Sequence, residues 1–360
     1  MRVAAERAAA LAGALEQQRI AAASGFPLAL TKFGWLFATS PQVGVRDGSS
    51  AVVFAERAAG ATGRTNHLML NTLAAAYAEA GRFADAVRVE RAALGFAQDD
   101  KTKEDYGSRL RLYESNTPYR DVATNDLVPA SDDRLGMAAL LRARGTLCAQ
   151  FSEWSLAVRD LTNAIALNPD EHWNWYVLAP LLLETGNVEG FRQHCHAMLA
   201  RFGATNDPAM AERAAKVCLM APTSIEELAE AAKLAETAVT LGKDHSWAAY
   251  FQFVKGLAEY RSGNFEKAAE WTKMALEQAG EVFTRDVQAY SVLALAQYRL
   301  NHADEARAAL SKAGEIAEGK LAKRGSGDLG PDWHDWIIAQ ILLREARGLI
   351  EGSAAPAGSR

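Results

Sequence analysis

The 360-residue chain carries 39 basic and 44 acidic side chains, a net charge of −5 and a pI ≈ 5.9, so it lacks the basic surplus that phosphate-backbone binding needs, and nucleic acid is not an expected partner. Its 49% hydrophobic and 23% charged residues are far from a disordered composition, and no run approaches the roughly 18 apolar residues that cross a bilayer, so membrane insertion is not expected. Three cysteines, Cys148, Cys195 and Cys218, fall at inward helix positions and are odd in number, which argues against a disulfide framework and for free buried thiols in a reducing, cytoplasmic setting. Residues 1–118 hold 14 basic and 12 acidic side chains, leaving 39 − 14 = 25 and 44 − 12 = 32 beyond, so the acidity lies in the C-terminal part and points weakly to a partner with basic or aromatic elements.

In chain order, residues 2–20 read as an Ala-rich helix without a capping residue, as though the chain opened inside a longer array. LTKFGWLFATSP is a helix stopped by Pro41, QVGVRDGSS a polar insertion, and AVVFAERAAGATG a second helix. From His67 the pattern tightens, with Leu73, Ala74, Tyr77, Gly81, Phe83, Ala86 and Ala93 at regular offsets, followed by a charged helix over about 101–114. The stretch SNTPYRDVATNDLVPASDD is rich in turn formers, so residues 119–132 are expected to link an N-terminal block (1–118, about two irregular repeats) to a main array (133–320, about five repeats).

The best-formed unit is LRARGTLCAQFSEWSLAVRDLTNAIALNP (141–169). Gly145 with Ala157 and Ala164 lets two antiparallel helices approach closely, Leu141, Leu147, Trp154, Leu161 and Leu167 fill the groove, and Pro169 closes the second helix. Small anchor residues recur at 145, 179, 215, 256 and 294, with Gly186, Gly263, Phe265, Ala268, Ala275, Ala306 and Ala313 around them. Asp207 and Ser224 are placed as helix N-caps. A loop (321–332), a final helix (333–350) capped by Asp332 and covering the last repeat, and a frayed tail (351–360) complete the chain.

On these residues the chain resembles the tetratricopeptide repeat family. The resemblance implies an all-α, tetratricopeptide-type helical-repeat solenoid, a right-handed superhelix of antiparallel helix pairs. Within that class, WLFATSPQVGVRDGSSAVVFAERA with LNTLAAAYAEAGRFADAV (within 26–118) is similar to the C-terminal repeats of bacterial tetratricopeptide proteins. DEHWNWYVLAPLLLETGNVEGFRQHCHAMLARFG, AVTLGKDHSWAAYFQFVKGLAEYRSG and GDLGPDWHDWIIAQILLREA (within 133–350) are similar to the repeat region after the catalytic domain of serine/threonine kinases of Planctomycetes-like bacteria.

Residues that imitate chemistry have simpler readings. GSGDLG (325–330) has the glycine spacing of dinucleotide loops without the strand that such a loop follows. His194, Cys195 and His196 are consecutive, hence about 100° apart on a helix, and cannot converge on one metal; Cys195 is expected in the core and both histidines at the surface. Asp332, His334 and Asp335 are read as the ordinary acidic start of a helix. Trp175 is expected to point into its repeat, with Trp173 and Tyr176 on a second face. No catalytic residue, cofactor or metal is expected, and the chain is not read as an enzyme.

The family's concave-face offsets, counted from the anchors, imply a peptide-binding groove of Arg142, Trp173, Tyr176, Glu184, Glu212, Lys216, Tyr250, Phe253, Tyr260, Arg261, Tyr298 and Arg299. Tyr260-Arg261 and Tyr298-Arg299 repeat one aromatic-guanidinium step, which suits a peptide with apolar anchors and an acidic residue. The function so implied is a protein-interaction scaffold that binds a peptide or partner helix; the alternative is the non-catalytic region of a bacterial serine/threonine kinase or other signalling enzyme.

Overall fold

A computed structural model describes residues 27–123, 133–221, 224–277, 282–323 and 328–352. The expected helix at 2–20, the part of the expected linker at 124–132, the glycine-rich residues 324–327 and the tail from 353 lie outside the described residues. Among those described there are sixteen α-helices and no strand, and the chain divides into two compact units, one ending at Asp170 and one starting at Glu171.

In the first unit, α1 (Pro27–Thr39) pairs with α2 (Gly48–Ala61), α3 (His67–Glu79) with α4 (Phe83–Phe96), and α5 (Asp100–Glu114) packs on α4. The pair α6 (Arg134–Gln150) and α7 (Trp154–Leu167), expected to open the main array, instead docks on α2. Phe54 and Phe151 meet at 6.5 Å between ring centroids, and Arg57 donates to the Phe151 carbonyl at 3.1 Å. Arg144 joins the two pairs: its Nε and Nη2 donate to Asp160 at 2.5 and 2.9 Å, and its Nη1 donates to the Val45 carbonyl at 3.2 Å. Residues 119–123, expected in a linker, lie back along α1. The Asp121 amide donates to the Thr39 carbonyl at 2.9 Å, Trp35 Nε1 donates to Asp121 Oδ2 at 2.8 Å, and Arg120 pairs with Glu79 at 2.7 Å.

The second unit contains α8 (His172–Glu184) with α9 (Val188–Phe202), α10 (Pro208–Cys218) with α11 (Ile225–Leu241), α12 (Ala248–Arg261) with α13 (Phe265–Glu277), α14 (Phe283–Arg299) with α15 (Ala303–Lys320), and the terminal α16 (Trp333–Ile350). The first helix of each pair also touches the first helix of the next, so it is packed on several sides, while the second helix buries one stripe. Thus α12 buries Ala249, Phe251, Phe253, Val254, Gly256, Leu257, Ala258, Glu259 and Tyr260, whereas α13 buries only Ala268, Ala269, Thr272 and Ala275. The first helices therefore form the inner face of this unit.

One turn closes five of the pairs. Gly81, Ser152, Gly186, Gly263 and Asn301 take φ of +75°, +65°, +75°, +82° and +62°, and the next residue's amide returns to the carbonyl five positions back, as in Arg82 to Tyr77 at 2.8 Å and His302 to Gln297 at 3.0 Å. This is the helix stop in which one left-handed residue lets the chain satisfy the last carbonyls; glycine takes that φ freely, and Ser152 and Asn301 take it at some strain.

The anchors behave as the spacing predicts. A Cβ on Gly145 would stand 3.1 Å from Asp160 Cβ and Leu161 Cγ and 3.3 Å from the Ala157 carbonyl, and one on Gly256 would stand 2.7 Å from Thr272 Cγ2. Ala179, Ala215 and Ala294 are fully buried. Gly145→Leu is expected to lower stability by about 2–3 kcal/mol through overpacking, read as a shift in the denaturant midpoint; an unchanged midpoint refutes the close approach.

Asp207 and Ser224 cap α10 and α11 as expected, accepting from Ala209 and Met210 and from Glu227. Asp332 does not cap α16: its ψ of 27° is outside the extended region from which an N-cap side chain reaches back to the first-turn amides. The three cysteines are buried and free. His194, expected at the surface, is buried and donates Nε2–H to the Trp175 carbonyl at 2.8 Å; burial pushes its pKa down to about 4, so it is a neutral core group. No described helix is long and apolar enough to cross a membrane.

Candidate functional site

The inner face of the second unit is where most of the expected groove residues converge, and what they converge on is α16. A terminal helix that only covered the last pair would touch α14 and α15. This one does so and also reaches α8, α10 and α12. It runs alongside α8 in the same sense: His334 stands against Trp173 and Tyr176 near the start of both helices, and Arg344 pairs with Glu184 near the end of both, at 3.1 Å.

At the head of α16 the groove closes around charge. On α10, Glu212 and Lys216 are one helical turn apart and face the same way, 2.9 Å from Glu212 Oε1 to Lys216 Nζ. Lys216 Nζ also stands 3.2 Å from Asp335 Oδ1, the same oxygen that accepts from the Tyr176 hydroxyl at 3.0 Å and from Gln288 Nε2 at 3.3 Å. Gln288 bonds the Asp335 carbonyl as well, at 3.1 Å. Tyr250 lies beneath two cations, Lys216 at 5.4 Å and Arg285 at 5.8 Å from the ring centroid. Trp173 packs its ring against Tyr176 and His334 at 5.3 and 5.2 Å, with the Arg213 guanidinium over it at 4.8 Å.

Burial sets the protonation states. Burial alone would drive the Asp335 carboxyl up, but Lys216, His334 and the bonds from Gln288 and Tyr176 outweigh it and hold it down to about 2. Burial likewise opposes the Lys216 ammonium, and the carboxylates of Asp335 and Glu212 overcome it and raise its pKa well above the usual lysine range. For Glu212 burial wins over Lys216, and its pKa goes up. The Tyr176 hydroxyl is pushed far up by burial and by Asp335, and His334 is pushed down by burial, so both are neutral. The stable charged pair is Lys216 with Asp335, and the arrangement grips a helix carrying a carboxylate.

At the other end, the Arg261 guanidinium forks onto the Glu345 carboxylate, with Nη2 to Oε2 at 2.7 Å, while its Nε and Nη2 hold the Leu219 and Met220 carbonyls at 2.8 and 2.9 Å.

Of the expected groove residues, Trp173, Tyr176, Glu184, Lys216 and Arg261 thus touch α16, and Glu212 and Tyr250 bear on Lys216 behind them. Phe253 is fully buried in the core instead, because α12 is packed on that side as well. Tyr260 is also buried, its ring 5.8 Å from Phe265 on its own partner helix. Tyr298 is half-buried and Arg299 exposed. Arg142 is half-buried on α6 in the first unit. The paired Tyr-Arg steps are therefore not equivalent: in the first the tyrosine is buried and the arginine forks onto α16, and in the second the tyrosine is half-buried and the arginine exposed.

Arg213, Arg285, Gln288, His334, Asp335 and Glu345 belong to the site and were not among the sequence candidates. A signal for Asp335 existed in the apolar Trp333, Trp336, Ile337, Ile338 and Ala339, which surround the helix on all sides and so require a carboxylate among them to find a partner; in the structure every position from Trp333 to Ala339 is buried. As expected, Trp175 faces inward, its ring 5.0 Å from His194 and 6.1 Å from Phe202.

No family model matches the sequence, and no curated protein matches it. Among solved structures, the chain is similar to MamA (residue 41 to its end) from Desulfovibrio magneticus RS-1, at 18% identity over 54% of this chain and 100% of that one, with a TM-score of 0.36. It is similar to a tetratricopeptide repeat protein from Parabacteroides merdae at 12% identity over 83% of this chain and 92% of that one (TM-score 0.38), and to yeast Tom70 at 14% identity over 92% and 65% (TM-score 0.33). One of these neighbours is by its title a tetratricopeptide repeat protein, and among the described residues the fold of this chain is all-α and built of antiparallel helix pairs.

Proposed function

We propose that this chain is a protein-interaction scaffold that receives a partner's helix or peptide on the inner face of its helix-pair array. The observation that supports the reading is the grip on α16: rings, a buried ammonium and a forked guanidinium from the first helices of consecutive pairs hold a helix by side-chain chemistry. On the same face the half-buried Tyr298 and the exposed Arg299, which bonds Tyr260, place a guanidinium beside an aromatic ring, a combination suited to an apolar residue next to an acidic one. A reducing cytoplasmic setting belongs to the reading, supported by the three free thiols.

The test is affinity capture with the purified full chain and with the double variant Tyr298→Ala/Arg299→Ala. Proteins retained by the first are expected to bind the second more weakly by about 2 kcal/mol or more, with the circular dichroism spectrum unchanged. Equal retention of every captured protein by both would remove these residues from the interface.

A further inference from the structure

We propose that α16 is an internal ligand of the array, and that the partner of this face is an amphipathic helix of the same chemistry. That helix would carry an aromatic first turn, a carboxylate there for Lys216, and a second carboxylate ten residues on for Arg261, as Asp335 and Glu345 do here. The inference rests on the scaffold reading and specifies its ligand.

Three observations carry it. First, α16 lies on the inner face alongside α8 and touches the first helix of all four pairs, which a helix that merely sealed α15 would not do. Second, its head and tail are held by ionic contacts at fixed spacing: ten residues of helix span about 15 Å, and the two cations that define this distance, Lys216 and Arg261, come from the array and not from α16. Arg261 is itself positioned by the Leu219 and Met220 carbonyls, so its fork is oriented by the array. Third, the second half of α16 is only partly enclosed, with Arg344 and Gly348 exposed and Gln340, Ile341, Glu345, Arg347 and Leu349 half-buried. An external helix can begin to compete there before the buried head is released.

The twelve residues 321–332 between α15 and α16 tether the segment to its own site. Fully extended they reach about 40 Å. A tethered ligand competes at high effective concentration, so a free helix binds the wild-type chain weakly and binds strongly once the tethered copy is loosened.

The probe is a dye-labelled synthetic peptide of residues 332–351, titrated into the purified full chain. In Glu345→Arg, where the tethered helix meets Arg261 with like charge, the peptide is expected to bind at least ten-fold tighter than to wild type. Arg261→Glu is expected to weaken the peptide at least ten-fold relative to Glu345→Arg, and a peptide carrying Glu345→Arg should recover that loss on the Arg261→Glu chain. Hydrogen exchange on the wild-type chain needs no variant: amides of α16 should exchange at least ten-fold faster than those of α14. Exchange of both helices at one common rate, or no gain in peptide binding by folded Glu345→Arg, overturns the proposal and makes α16 a fixed part of the core. These results are independent of whether captured partners depend on Tyr298 and Arg299, so the scaffold reading and its ligand can fail separately.

Discussion

Lys216→Met is expected to lower the stability of the second unit by about 3–5 kcal/mol at neutral pH, because it leaves a buried carboxylate at Asp335 without its counter-ion while conserving side-chain volume. A buried pair is weak evidence for net stabilisation, yet breaking one by removing a single partner is strongly unfavourable, since the remaining charge has neither water nor ammonium beside it. The pH dependence identifies the mechanism. In the wild-type chain Asp335 is held at about 2, below its ordinary value of 3.8, so its contribution is present above pH 4 and is lost as pH falls from about 4 towards 2. In the variant burial acts on Asp335 without Lys216, its pKa rises, and the sign reverses: stability improves as acid neutralises the carboxyl. Denaturant titrations of both proteins at pH 7 and at pH 3 check this. A variant with wild-type midpoints at both pH values refutes the assignment.

Glu90→Met is expected to do the opposite in the first unit, raising stability by roughly 2–4 kcal/mol at pH 8.5. Glu90 on α4 is fully buried, and neither of its oxygens accepts a hydrogen bond from a described protein group. Burial pushes its carboxyl up to about 8, and the charge of Arg109 offsets only part of that. A carboxyl whose folded pKa is raised supports folding while it stays protonated; the unfolded chain releases the proton from about pH 4.5, so stability declines as pH rises from there and is lost through about 8. Methionine fills the space without a charge to desolvate, so the variant should show a flatter pH profile between 5 and 9 as well as a higher midpoint in alkali. A profile parallel to wild type would mean that Glu90 finds water or a partner when ionised. No comparable gain is expected from Asp160, equally buried, because Arg144 forks onto it.

The helix pairs and the residues at which they touch were legible in the sequence because both are local. An apolar stripe with a three-to-four residue period, a small residue where two helices cross and a left-handed residue four positions past a helical carbonyl act within one hairpin, as at Gly145, Gly81 and Gly263. Even there, Ser152 and Asn301 took the glycine position without announcing it, since the turn tolerates a polar L residue at modest strain.

What only the tertiary structure decided is which apolar face meets which. The choice of α2 as the partner of α6 came from Arg144 reaching the Val45 carbonyl, and from Phe151 finding Phe54 and Arg57, contacts between residues about a hundred apart in the chain. The inner-face residues Trp173, Tyr176, Glu212 and Lys216 were identifiable from their offsets, but their occupant was not. The carboxylate at Asp335 reads equally well as a group favouring a helix start and as a buried counter-ion. Only the closing of α8, α10, α12 and α14 around α16 removes water from that carboxylate, and the loss of water turns a surface charge into one that must be paired.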